Sequence, residues 1–153
     1  MISQQDFEKI KKATKEFFEK TTFQIEIKIL PQKEKTIPIE LQTDEPQILI
    51  GERGQTLTEI QHLLKAILRR KIKELFYIDI DINDYKKKKI EYLKELARSV
   101  ADEVSLTKKE KMLAPMPAYE RRIIHLELAE RKDVTTESIG QEPERSLVIR
   151  PYP

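Results

Sequence analysis

Phe7, Ile10, Thr14, Phe17 and Phe18 recur at helical spacing, with Lys and Glu filling the positions between them, which predicts an amphipathic helix ending near Thr21. The period then changes. Phe23, Ile25, Ile27 and Ile29 alternate with polar residues, and Ile37, Ile39 and Leu41 alternate again beyond a turn from Pro31 to Lys35, so two half-buried strands form a hairpin. Pro38 has no amide to give to a ladder, which places the second strand at an edge or at a break. After a short stretch from Asp44 to Ile50 comes Gly51-Glu52-Arg53-Gly54, then a helix from about Gln55 to Lys71 with Leu57, Ile60, Leu64, Ile67 and Leu68 on one face. Phe76, Ile78, Ile80 and Ile82 alternate with Tyr77, Asp79, Asp81 and Asn83 as a third strand.

Asn83 and Asp84 are helix N-cap residue types, and Tyr85, Lys89, Leu93, Leu96, Val100 and Val104 trace the inward stripe of a long helix after them. The pattern divides here, into domains of residues 1–83 and 84–153. The second half reads as a short strand at Met112 to Ala114, a helix after Pro115-Met116-Pro117 and a strand from Val134 to Ser138. A turn from Gly140 to Glu144 leads to a closing strand from Ser146 to Arg150. The chain mixes strands and helices with no internal repeat.

Composition narrows the function classes. The 153 residues include no cysteine, so there is no disulfide framework, thiol nucleophile or thiolate metal site, and the expected compartment is the cytoplasm. No apolar run approaches the roughly 18 residues of a membrane span, and Met1 to Asp6 carry neither a basic leader nor an apolar signal region. His62 and His125 are the only imidazoles, and no Walker-type or GxSxG motif occurs, so no enzyme and no cofactor are expected. Asp79 and Asp81 share a strand face, which the alternating isoleucines explain as the wet side of a sheet. Net charge is +2 overall, but residues 51–98 hold 12 basic and 8 acidic side chains, while the blocks on either side are each one charge negative. A local basic excess on a nearly neutral chain points to a surface for a polyanion.

Four clusters could carry that binding. Two of the three glycines flank Glu52 and Arg53 at the start of a helix, where glycine lets backbone approach a ligand and helix amides suit phosphates; a tight helix-turn-helix corner would also explain them. Arg69 and Arg70 open a cationic run to Lys73 at a helix C-terminus, where favourable dipole pairing and a nucleic-acid role are both open. The Lys86 to Lys89 run opens the next helix, where the dipole disfavours cations, though a solvated face explains it as well. Arg121 and His125 stand four apart, one turn apart on a helix face, and could grip one phosphate together.

The order helix, strand, strand, short helix, GxxG, helix, strand is that of a type II KH domain. Leu49-Ile50-Gly51-Glu52-Arg53-Gly54-Gln55-Thr56-Leu57, with Ile60-Gln61 and Leu63-Leu64, resembles the KH segment of the bacterial Jag family of SpoIIIJ-associated RNA-binding proteins. Further on, Pro115-Met116, Tyr119 to His125, Ser138-Ile139-Gly140-Gln141-Glu142-Pro143, Arg145 and Val148-Ile149 resemble that family's R-x-x-x-H ("R-3-H") module, which has a three-stranded sheet and two helices. The resemblance implies an α+β fold class and a GxxG loop, Gly51 to Gly54, on the backbone of about four unpaired nucleotides. It also implies Arg121 and His125 as a signature pair, with Arg122 and Arg145 beside them. Glu52 departs from the basic residue usual in the family. The implied partner is single-stranded RNA, or single-stranded DNA, together with a small KH protein or a second copy; the implied role is post-transcriptional, in cell elongation and division. The family's further N-terminal domain and charged linker do not appear in this sequence. A protein-interaction module whose basic middle block docks an acidic partner is the alternative.

Overall fold

In the computed structural model, which describes residues 1–153, the chain divides into two units between Lys86 and Lys87, three residues beyond the division drawn from the pattern. In the first unit, α1 (Gln4–Glu19) starts at Ser3, whose hydroxyl accepts the Asp6 amide, and buries Ile10, Ala13, Thr14 and Phe18. Strand β1 (Ile25–Ile29) pairs antiparallel with β2 (Thr36–Thr43), and β2 pairs parallel with β3 (Tyr77–Ile82), in the order β1-β2-β3. A parallel pair requires a crossover. It is made by α2 (Pro46–Ile50), a 3-10 turn over Glu52–Gly54 and α3 (Gln55–Lys71). Alternation on the strands buries Ile37, Ile39 and Leu41 with Ile78, Ile80 and Ile82, closed by Leu64, Leu68 and Phe76.

Strand β2 is therefore the central strand, not an edge. Pro38 is tolerated there because its position falls where the β1 ladder runs out: its carbonyl accepts the Leu30 amide, at 2.9 Å, just beyond the last paired residues of β1. Asn83 and Asp84 do not cap the next helix either. Both hold left-handed backbone, φ +49 and +58, whereas an N-cap is extended. Asn83 instead prolongs the sheet, its amide side chain exchanging two hydrogen bonds with the backbone of Thr43 at 3.0 and 2.8 Å. The cap comes from Asp81, whose carboxylate accepts the amides of Ile82 and Lys86. Asp81 thus does more than face water, and Asp79 pairs with Lys86.

The long helix α4 (Tyr85–Thr107) leads into β4 (Lys111–Met112), α5 (Ala118–Leu128), β5 (Val134–Ile139) and β6 (Ser146–Pro151). The second sheet is antiparallel in the order β4-β6-β5, and the Leu113 and Met116 amides continue the bonding onto Leu147 and Arg145 beyond the two-residue β4. The buried stripe of α4 is Leu93, Ala97, Val100, Ala101 and Val104. Tyr85 packs in the first core, and Lys89 and Leu96 lie beside the stripe. Ala97 and Ala101 are fully buried on the inward face, positions that the spacing of large apolar residues does not single out. Arg131 binds both oxygens of Asp133 and one of Asp102, and its guanidinium holds the Asp133 carboxyl well below the usual carboxylate range. No helix is long and apolar enough to cross a membrane.

Asn83→Ala removes both side-chain bonds to Thr43 and leaves alanine in a left-handed conformation. We expect a loss of about 1–3 kcal/mol, read from the urea midpoint. An unchanged midpoint would mean that Asn83 does not hold the end of the sheet.

Candidate functional site

Helix α2 ends at Gly51, whose φ of +73 and ψ of −179 lie in a region open essentially to glycine alone. A Cβ at this position would stand 2.1 Å from the Thr56 hydroxyl, inside van der Waals contact. Gly54, φ +76, is buried against the Tyr85 ring, 3.3 Å from where its Cβ would be. Both glycines therefore have an internal packing reason. Between them Glu52 and Arg53 are exposed, and Arg53 is itself left-handed, at φ +55 and ψ +23. No side chain caps α3; its first amide, that of Gln55, donates to the Glu52 carbonyl, beside the exposed arginine. Arg69 and Arg70 are exposed in the last turn of the same helix, about 22 Å along the axis from Gly54, and the structure does not bring them to the corner. Of the lysine run, Lys86 pairs with Asp79, Lys89 lies 3.8 Å from Glu120, and Lys87 and Lys88 are exposed.

In the second unit one face of α5 and the strand β5 form the walls of an open cleft of about 320 Å³, lined by Ala118, Arg121, Arg122, His125, Thr136 and Ser138. Arg121 and His125 do share this face, but they do not act alike. The Arg121 side chain is only 9% exposed, and it donates from Nε to the Met116 carbonyl (3.2 Å), from Nη1 to the Ser138 hydroxyl (2.9 Å) and from Nη2 to Glu142 (2.6 Å). The guanidinium is thus committed to three partners within the unit, with Glu142 meeting its charge beside the cleft that Arg121 also lines. His125 is exposed, with Nδ1 hydrogen-bonded to the Thr136 hydroxyl at 2.5 Å and Nε2 uncommitted. Arg122 is exposed and is the free cation of the cleft. Arg145 lies outside the lining, with a buried Nε that has no hydrogen-bond partner.

Thr136 escapes a reading by motif. The signal that finds it is strand alternation, which sets Thr136 and Ser138 on one face of β5, opposite the α5 residues. Nothing in the arrangement gathers three or more His, Asp or Glu side chains that could hold a metal ion. The chemistry on offer is hydrogen bonding and charge.

The family model for the R-3-H domain matches residues 91–151, which covers the walls of this cleft. The chain is similar to proteins named RNA-binding protein KhpB: 38% identical over 118 residues to that of Clostridium symbiosum, covering 77% of this chain and 53% of the relative. It is 36% identical over 120 residues to that of Bacillus subtilis, covering 77% and 58%. For the KhpB of Lactiplantibacillus plantarum the identity is 37% over 107 residues, 70% of this chain and 33% of the relative. The chain thus spans a third to little more than half of these relatives. Matches of that length reach well beyond the R-3-H segment and take in the Gly51–Gly54 corner.

Two stability measurements separate framework from surface. Gly51→Ala, which puts a side chain in glycine-only backbone and against Thr56, should cost at least about 1–3 kcal/mol in urea unfolding, while Glu52→Ala should stay within about 0.5 kcal/mol. Arg121→Lys cannot reach three partners at once and should destabilise by about 1–3 kcal/mol, whereas His125→Ala should be nearly neutral. Equal midpoints for the Arg121 and His125 variants would contradict the framework role.

Proposed function

We propose that this chain, which carries an R-3-H domain over residues 91–151 and is related to the RNA-binding proteins KhpB, is itself a non-enzymatic binder of single-stranded RNA. The observation that carries the reading is Arg53, a non-glycine residue held left-handed and exposed at an uncapped helix start. Backbone of that kind costs free energy and collects where a ligand is held. Together with the flanking glycines it matches what a KH domain needs at its GxxG loop, where amides and one cation meet the sugar-phosphate backbone. Gly51, Arg53 and Gly54 take that role, with Glu52 moderating the local potential. In the second unit Arg122 and His125 meet phosphate on a cleft that Arg121 holds in shape. Arg69 and Arg70, at the far end of α3, lie beyond the screening length and take no part at the Gly51–Gly54 corner. The cytoplasm is the compartment, and the post-transcriptional part in bacterial elongation and division rests on the Jag resemblance alone.

Fluorescence anisotropy with a short labelled single-stranded RNA near 50 mM salt tests this. Wild type should bind unpaired RNA in preference to duplex, with affinity falling linearly in log salt. Arg53→Asp and the pair Arg122→Ala/His125→Ala should each weaken binding and flatten the salt slope, by about 0.7 for every phosphate no longer neutralised. Binding that favours duplex, or is indifferent to both substitutions, would return the basic block to the role of a dock for an acidic protein.

A further inference from the structure

The groove between α5 and β5 does not stop at His125. A second cleft of about 480 Å³ continues from it, and His125 and Thr136 line both. Along α5 the first cleft takes Ala118, Arg121, Arg122 and His125, and the second takes His125, Leu128 and Ala129, which is one continuous helix face about 16 Å long. Along β5 the lining passes likewise from Ser138 through Thr136 to Val134. The far end is closed by Tyr152. Pairing of Val134 with Pro151 brings the chain there, and the Tyr152 amide donates to the Asp133 carbonyl at 2.9 Å, so the backbone under an exposed aromatic ring is fixed.

The two clefts differ in chemistry. The first holds the free guanidinium of Arg122. In the second the one arginine, Arg131, is already neutralised by Asp133 and Asp102, Leu128 and Val134 are buried, and Lys132 is the single uncommitted cation. A nearly neutral cleft with an apolar floor and an aromatic rim is poorly suited to a phosphate and well suited to a flat, uncharged ring. We infer that Tyr152 stacks an unpaired base in this second cleft while Arg122 and His125 hold the adjoining phosphate in the first. The single strand would then run lengthwise along the α5–β5 groove. This rests on the RNA reading and adds to it a base subsite on residues that the R-x-x-x-H signature does not include.

Anisotropy titrations of a labelled ten-nucleotide single-stranded RNA, with wild type, Tyr152→Ala, Tyr152→Phe and Arg122→Ala over a salt series, test the subsite; Tyr152 is exposed, so its variants should fold, which circular dichroism verifies. Stacking predicts that Tyr152→Ala weakens binding about fivefold or more with an unchanged salt slope. Tyr152→Phe should bind within about twofold of wild type, because the ring and not the hydroxyl makes the contact. Arg122→Ala should weaken binding and flatten the slope. If Tyr152→Ala binds like wild type while Arg122→Ala is impaired, the base subsite is wrong and the RNA reading stands. If Tyr152→Phe loses as much as Tyr152→Ala, the contact is a hydrogen bond and stacking is refuted. If wild type does not bind at low salt, both fall together.

Discussion

The second unit is organised around one buried charge. A guanidinium taken out of water must find partners for its donors or cost several kcal/mol, and Arg121 finds them in three separate places: the segment leading into α5, the end of β5, and the turn between β5 and β6. Helix, strand and turn are thereby fixed to one another through a single side chain. The cleft exists because those walls are fixed. Its electrostatics follow from the same contact, since Glu142 answers the charge of Arg121 and leaves Arg122 as the free cation at the surface.

The first unit reaches a comparable end by backbone. Three residues at its corner, Gly51, Arg53 and Gly54, hold positive φ, and the glycines are required as much by Thr56 and Tyr85 as by any ligand. The Gln55 amide donates to the Glu52 carbonyl, and no side chain caps the start of α3. One site thus offers main-chain donors with a single cation, and the other offers side chains on a rigid groove.

Elements whose period is long or sharply alternating were readable from the residues alone. Helix α3 with Leu57, Leu64 and Leu68, the strands at Ile37–Leu41 and Ile78–Ile82, and the closing strand at Leu147–Ile149 all follow the spacing of apolar side chains. What escaped was set by partners distant in sequence. Pro38 marks a break, but that β2 is central depends on β3, some forty residues on. Asn83 has the composition of a cap, yet its left-handed backbone commits it to Thr43, and Asp81 takes the cap instead. At the site, spacing placed Arg121 and His125 on one face correctly. It could not show that the Arg121 side chain is buried against Met116, Ser138 and Glu142 while His125 lies at the surface, because a helical period does not distinguish the rim of a face from its floor.

The charge arithmetic of the chain also looks different once the pairs are known. The excess of four in residues 51–98 suggests a broad cationic field, but Lys86 is met by Asp79, and at the corner Glu52 stands next to Arg53. In the second unit Glu142 answers Arg121, and Asp102 and Asp133 answer Arg131. What remains free at each site is about one cation. Long-range attraction from so few charges is weak and is screened within about 8 Å at physiological ionic strength. Affinity must then come from short-range fit, from amides, hydroxyls and ring faces, and each unit alone supplies little of it. A nearly neutral protein that engages a polyanion through two modest sites would discriminate by the shape and flexibility of the strand, since charge density alone would draw it equally to any duplex.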